Sequence, residues 1–294
     1  MKKKILIIGG SGFIGHNLSI FLKRKGLNVY VVDNFGVNNL NSIKYEHKDK
    51  IKIKIYKNFL KERITLLKQN KISISKIDAK NFPKLKKYLH KLKPDTIVHL
   101  AAVSHADRSN KNPKKTFDNS FVTLQNALEA SRSFRPHFIF FSSSMVYGDF
   151  KKNSVNEKSN CNPKGIYGTL KYCSELLIKS YNQVFGLKYT IIRPSALYGE
   201  RCISSRVGQI FLEKSIKKEE ITVNGDGKDK LDFTYINDLV NGVYKIIKNK
   251  KAYNEIFNIT YGQSRKISDM LNLVNKNFKK TKVKYVKRDK LVPK

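Results

Sequence analysis

Three things are scarce in this sequence: cysteine, acidic side chains and long apolar runs. Its three cysteines, Cys161, Cys173 and Cys202, lie far apart and form no Cys-x-x-Cys pair. That spacing indicates neither a disulfide framework nor a zinc site. The six histidines show no metal-ligand spacing either, so no metal is expected. His99 and His105 flank Ala101-Ala102 and are expected to serve packing or hydrogen bonding. No apolar stretch reaches the length of a membrane span, because even 94–104 and 136–147 are punctuated by polar groups. The start, Met1 to Lys4 followed by four apolar residues and Gly-Gly, has an apolar part too short for a signal peptide. The expectation is a cytoplasmic protein without a membrane partner.

Aspartate and glutamate together number 23 against 59 lysines and arginines, a net charge of +36. Such a surplus normally invites nucleic acid. Here only ten of the basic residues are arginine, and the charges are spread along the whole chain. No arginine-rich stretch or aromatic-interleaved basic groove occurs, and base recognition usually leans on both. A bias toward Lys, Asn and Ile accounts for the charge, so no specific nucleic-acid partner is expected. The surplus still attracts anionic substrates. Length allows a large core in one or two domains, and 40% hydrophobic residues is ordinary for a soluble globular protein.

What is present begins with Ile5 to Ile8, an apolar run without alternation that suits a strand buried on both faces. Gly9, Gly12 and Gly15 follow at three-residue spacing, and Ile14, Leu18, Phe21 and Leu22 take up helical spacing. Strand, glycine turn and helix in that order read as a dinucleotide-binding turn, with the helix N-terminus facing a pyrophosphate. A second strand, Val29 to Val32, ends in Asp33, where a ribose-binding acid is expected. Residues 34–76 are polar and long, with helical spacing at Leu60, Ile64 and Leu67 and a strand-like Ile72 to Asp78. Helices are expected over 83–92, 116–131 and 167–185, and strands over 96–100, 138–141 and 189–192. The alternation predicts an α/β fold with a doubly wound parallel sheet. Every special cluster falls at a strand's carboxyl end, where such sheets bind ligands. After Pro194 the alternation fails, which predicts a smaller α/β lid. The expected division is 1–193 for the dinucleotide domain, with 232–260 returning to it, and 194–231 plus 261–294 for the lid.

Tyr167 and Lys171 stand four apart on one helix face. A cation held beside a phenol favours the phenolate, and Ser143 stands at a neighbouring strand end to bond a substrate oxygen. A non-catalytic NAD-sensing protein on this fold is the alternative that an intact Ser143, Tyr167 and Lys171 argue against.

The chain resembles the extended short-chain dehydrogenase/reductase family, in its NAD-dependent nucleotide-sugar epimerase/dehydratase branch. The resemblance rests on Gly9 to Gly15, Asp33-Asn34, Ile77-Asp78, His99 to Ala102, Asn112-Pro113 with Asn119, and Ser142 to Gly148. It continues through Tyr167 with Lys171, Arg193-Pro194, Tyr198-Gly199, Gly225-Asp226-Gly227 and Asp232 to Tyr235. It implies NAD as cofactor, held by Gly9, Gly12, Phe13, Ile14, Gly15, Asp33, Asn34, Asp78, Ala101, Ala102, Asn119, Tyr167, Lys171 and Pro194. Asp33 would bind the adenosine ribose and repel a 2′-phosphate, Asp78 the adenine edge, and Lys171 the nicotinamide ribose. Tyr167 would be the catalytic base and Ser143 its substrate-polarising partner. The substrate implied is a nucleotide sugar, with Ser104, Ser144, Ala196, Arg206 and Lys230 on its side of the site.

Where dehydratases and decarboxylases of the family carry Glu, often with Asp beside it, this chain has Ser144-Met145. The reaction expected is therefore 4-epimerisation, with dehydratase, decarboxylase or reductase as the alternative. The resemblance also implies a homodimer built on helices 116–131 and 167–185, where Phe121, Val122, Leu176, Leu177 and Ile178 extend beyond one face. It further leads us to expect a shortened C-terminus at Pro293-Lys294.

Overall fold

The structure is a computed structural model that describes residues 2–36, 40, 43, 49–103, 106–150, 154–203, 206–278 and 281–287, the side chains of 106 and 107 excepted. Strand β1 (Lys4–Ile8) accounts for the unalternating run at the start of the chain. Ile5 and Ile7 enter one core layer and Leu6 and Ile8 the opposite one, all four at most 1% exposed. Helix α1 (Phe13–Arg24), strand β2 (Asn28–Asp33), α2 (Lys50–Gln69), β3 (Ser73–Lys76), α3 (Phe82–Leu92) and β4 (Thr96–His99) follow. Next come α4 (Ala106–Lys111), α5 (Pro113–Phe117), α6 (Thr123–Ser131), β5 (His137–Phe141), α7 (Gly165–Phe185) and β6 (Tyr189–Pro194). The remainder comprises β7 (Leu197–Tyr198), α8 (Val207–Lys217), β8 (Ile221–Asn224), β9 (Lys230–Leu231), β10 (Thr234–Tyr235) and α9 (Ile236–Lys248). Strand β11 (Glu255–Ile259), β12 (Arg265–Lys266), α10 (Ile267–Asn277) and β13 (Val283–Val286) complete the chain.

Seven strands form one parallel sheet in the order β3-β2-β1-β4-β5-β6-β11. β1 lies between β2 and β4, with Ile5 facing Val29 on one side and Thr96 on the other. The winding direction reverses between β1 and β4, the place where doubly wound sheets open a crevice. The late strand β11 joins the sheet against β6, and α9 buries Leu239, Val240 and Val243 in the same layer as Ile5 and Ile7.

Two elements and one side chain differ from the sequence expectation. Helix α2 begins at Lys50 rather than near Leu60, and buries Tyr56, Leu60, Arg63 and Leu67 along one face. Its first turns alternate lysine and isoleucine, a period of two that hides the helix until packing selects the 3.6-residue face. The helix expected from Thr116 starts at Pro113 and is widened by a π turn at Asp118–Val122. That turn is tied to the end of β4, where the Val103 N–H donates to Ser120 Oγ at 3.1 Å. Ile178, expected on an outer face, is instead fully buried against the sheet. Leu176 is 46% exposed, and Phe117, 44% exposed, stacks on Phe121 with centroids 5.3 Å apart.

Beyond β6 a second, smaller core gathers Phe211, Ile221, Val223, Leu271 and Val274 from α8, β8 and α10. β13 covers it by pairing in parallel with β8. Helix α8 is moored to α2 by Glu213, whose Oε1 accepts from Tyr56 Oη at 2.5 Å and whose Oε2 pairs with Lys52 Nζ at 2.8 Å. Leu271→Ala should cost about 2–5 kcal/mol, as buried leucine truncations do. Hydrogen exchange should then quicken in α8, β8, α10 and β13 while β1, β4 and β5 keep their protection. Equal loss in the sheet would mean that the two cores unfold as one unit.

Candidate active site

The carboxyl ends of β1, β2, β4, β5 and β6 open into one cleft of about 1890 Å³. Single small-molecule sites run to roughly 300–1,000 Å³, so this cleft has room for two ligands. Its floor is the glycine turn. Gly9 has φ 84°, its N–H donates to the Val32 carbonyl at 2.8 Å, and a Cβ there would stand 2.8 Å from Ala101 N. A Cβ on Gly15 would stand 2.5 Å from the Gly9 carbonyl oxygen. Neither position tolerates a side chain without displacing backbone. Gly12 begins α1 with no side-chain cap, so the first N–H groups of the helix, at Phe13 and Ile14, are left for an anion in the cleft.

Asp33 closes β2 beside this turn. Its Oδ2 accepts from Ser11 N at 2.8 Å and its Oδ1 from Phe35 N at 2.7 Å. Burial pushes the Asp33 carboxyl above its ordinary value, and those two N–H groups oppose the rise. Asn34 and Asp78 line the same half of the cleft. Asp78 is oriented by the Lys80 N–H at 2.9 Å, and Asn34 Oδ1 accepts from Gly36 N at 2.8 Å. Ala101 and Ala102 continue β4 into the cleft, and the π turn brings Asn119 to it. Pro194 ends β6 at the cleft wall.

Helix α7 brings Tyr167 and Lys171 to the cleft. Lys171 Nζ donates to the Phe141 carbonyl at 2.6 Å and lies 4.8 Å from the Phe140 ring centroid and 5.9 Å from that of Tyr167. Burial pulls the Lys171 ammonium down to about 8, with Glu175 opposing the fall. Tyr167 meets the cleft beside Ser143, which also accepts from Met145 N at 3.2 Å. In the free protein burial pushes the Tyr167 phenol above its ordinary value, against the pull of Arg206 and of the Ser143 hydroxyl. Desolvation there outweighs Arg206 and the Ser143 hydroxyl, and the Lys171 ammonium is anchored on the Phe141 carbonyl. His99 packs against the rings of Phe138 and Phe140, at 6.1 and 6.2 Å, with neither ring nitrogen bonded. Burial and Lys171 hold it neutral, near 3.

A family model described as the NAD dependent epimerase/dehydratase family matches residues 5–260. The chain belongs to that family. Its members are enzymes, and the glycine turn with Asp33 is the part of this cleft that fits their dinucleotide. Among its relatives, the dTDP-D-glucose 4,6-dehydratase of Dictyostelium discoideum is 30% identical over 276 residues, 87% of this chain and 58% of that protein. A putative UDP-glucose 4-epimerase of Methanocaldococcus jannaschii is 29% identical over 275 residues, 92% of this chain and 81% of that protein. The solved UDP-glucuronic acid 4-epimerase of Bacillus cereus, in complex with UDP-glucuronic acid and NAD, superposes with a TM-score of 0.86 at 27% identity. That match covers 99% of this chain and 88% of the Bacillus chain.

The remaining expected residues fall into two groups, those that line the cleft and those outside the described residues. Ser144, Ala196, Arg206 and Lys230 all line it, Arg206 as the residue before α8. Ser104 and His105 lie outside the described residues. Four carboxylates line the cleft among the described residues, and each is engaged. Besides Asp33 and Asp78, Asp232 accepts from Tyr261 N and Gly262 N, and Glu200 from Tyr235 Oη. None stands at the Ser144–Tyr147 turn, where Met145 faces the cleft.

Sequence reasoning passed over Glu175, fully buried one turn beyond Lys171. Its spacing from Tyr167 and Lys171 on the same helix was the signal available.

The depressed Lys171 ammonium has a consequence for stability. Below pH 8 the lysine is charged in both states, and burying that charge weighs against folding. Between 8 and 10.5 the unfolded chain holds more protons than the folded one, so the penalty lifts as pH rises. The displacement from 10.5 to about 8 corresponds to roughly 3 kcal/mol. Urea titrations should therefore find Lys171→Met gaining stability relative to wild type at pH 7 and losing that gain by roughly 3 kcal/mol toward pH 10. A pH-independent difference would show that the ammonium is not buried.

Proposed function

We propose that this chain is an epimerase acting on a nucleotide sugar by transient oxidation at C4. The observation that carries the reading is the meeting of Ser143, Tyr167 and Lys171 in a two-ligand cleft whose neighbouring turn offers Met145. Dehydration or decarboxylation needs a second acid/base group beside the sugar, and a thioether exchanges no protons. The four carboxylates of the cleft are occupied elsewhere. Epimerases among the relatives and solved neighbours support the reading. The Dictyostelium dehydratase is the observation in favour of the alternative.

In this mechanism residues 1–193 with 232–260 hold NAD, and 194–231 with 261–294 close over the sugar nucleotide. The N–H groups of Phe13 and Ile14 take the pyrophosphate, and Gly9, Gly12 and Gly15 leave room for it. Asp33 and Asn34 hold the adenosine ribose, Asp78 the adenine edge, and Ala101, Ala102, Asn119 and Pro194 pack around the remainder. Bound NAD supplies the hydride acceptor and later the donor. Lys171 binds the nicotinamide ribose, and Ser143 donates to the C4 oxygen. Tyr167 must first give up its own proton as the ligands fill the site; as the phenolate it takes the C4 hydroxyl proton and returns it once the keto sugar has turned in the site. Arg206 favours the phenolate against burial, and with Lys230 it meets the diphosphate of the substrate.

Tyr167→Phe keeps the ring and removes the ionisable hydroxyl. NAD should bind unchanged while turnover falls roughly a hundredfold or more, the usual cost of losing a positioned acid/base group. Mass spectrometry and NMR of a nucleotide-sugar panel should find a product of unchanged mass, inverted at one carbon, without solvent deuterium in deuterated water. A 4-keto-6-deoxy product, or deuterium at C5, would transfer the assignment to the dehydratase.

We further assign a homodimer in which the helical stretch from α5 through the π turn to α6, together with α7, pairs across a two-fold axis. Leu176, Phe117 and the half-buried Phe121 and Leu177 form the apolar surface that supports it. Light scattering at micromolar concentration should give twice the chain mass, and Leu176→Glu should give the monomer. A wild-type monomer would overturn the assignment.

A further inference from the structure

Helix α7 carries a third ionisable group in line with the catalytic two. Tyr167, Lys171 and Glu175 follow at intervals of four, one helical turn each, so their side chains share a face. Glu175 is 0% exposed and bonded on every side. Its Oε1 accepts from Ser142 Oγ at 2.5 Å and from Arg193 Nε at 3.0 Å, and its Oε2 accepts from Arg193 Nη2 at 2.5 Å. Ser142 precedes Ser143, and Arg193 precedes Pro194. One carboxylate therefore joins the catalytic helix to the ends of two neighbouring strands, β5 and β6. Arg193 continues the network through Nη1 to Tyr147 Oη at 2.9 Å, and Tyr147 donates to Asn258 Oδ1 at 2.8 Å.

The charges around this group decide what it can do. Facing Lys171 are the neutral His99 from β4, Tyr167 on its own helix and the carbonyl of Phe141. Facing Glu175 are Arg193 and Tyr189 from β6 and Cys161 from the segment before α7. Arg206 acts on Tyr167 from the lid. Glu175 is the one carboxylate in this set, and the buried ammonium of Lys171 has no other anion among these neighbours.

We propose that Glu175 is a positioning residue for the reaction: it keeps Lys171 charged and seated on Phe141, and it holds the Ser142-Ser143 strand end against the catalytic helix. This rests on the assignment of Lys171 and Tyr167 to catalysis. Glu175 touches neither ligand; it acts through Lys171 and Ser142. Without its charge, Lys171 faces burial uncompensated and becomes neutral within the working pH range.

The test uses Glu175→Gln, which keeps the shape and removes the charge. Because this leaves Arg193 buried without a counter-ion, it is paired with Glu175→Gln/Arg193→Gln, in which no charge is orphaned. The direct readout is the pH titration of the Lys171 Cε resonance, assigned by its loss in Lys171→Ala, on the full chain with NAD. The second readout is the alkaline limb of kcat/KM. Both should move to lower pH by roughly one unit or more in every Glu175 variant that folds, the size expected from losing one close opposite charge. If the double variant is stable and its titration returns to that of wild type, Glu175 is only a counter-ion for Arg193 and the proposal falls. An unmoved titration in folded Glu175→Gln overturns it as well. The resonance reports on Lys171 whether or not a sugar is turned over, so failure of the epimerase reading would leave this result standing.

Discussion

Burial of one parallel sheet on both faces is the constraint on which the rest of this structure depends. A strand such as β1, with successive residues committed to opposite core layers, has no face to spare for chemistry. Each crossover must return through a helix to the same edge, which leaves only the carboxyl ends of the strands free. Glycines, acids, alanines, serines and a proline therefore gather from across the sequence into one cleft. The functional groups converge because the core excludes them from everywhere else in the sheet.

The same burial makes the site electrostatically demanding. Lys171 is taken out of water and held by a carbonyl, two aromatic faces and the field of a single carboxylate. Tyr167 stands close by with its phenol raised rather than lowered, so the free protein is poised with the proton on the tyrosine. A lysine and a tyrosine four apart on a helix are thus only the visible part of the device. Glu175, on the same helix and bonded to Arg193 and Ser142, is the carboxylate whose charge opposes loss of the Lys171 proton.

Periodicity made most of the sheet legible, because strands buried on both faces leave unbroken apolar runs that resemble nothing else in the chain. It misled where two periods overlapped, as in Lys50 to Tyr56, whose alternating isoleucines disguised the start of α2. The π turn left no pattern in residue types, since its cause is a tertiary bond from Val103 to Ser120. In the site, glycine spacing and the paired Tyr167 and Lys171 were readable as motifs. Glu175 was not, because an acid in a helix reads as a solvated face until burial is known. The second core around Leu271 was visible only as a loss of alternation, for its strands are short and pair late in the chain.

Charge shows the difference between a composition and a site. The chain carries 59 basic side chains against 23 acidic ones, and most of these face water, where salt screens them within about 10 Å. Such charges draw in anions of any kind and select none. Selection belongs to charges held inside the cleft, where screening is weak and each neighbour counts. A chain this poor in acid nevertheless places a fully buried glutamate one helical turn from the buried Lys171. An ammonium surrounded only by like charges and apolar walls would shed its proton, and the surplus outside would do nothing to keep it. The acid that matters to this lysine is therefore the one the general charge balance gives no hint of.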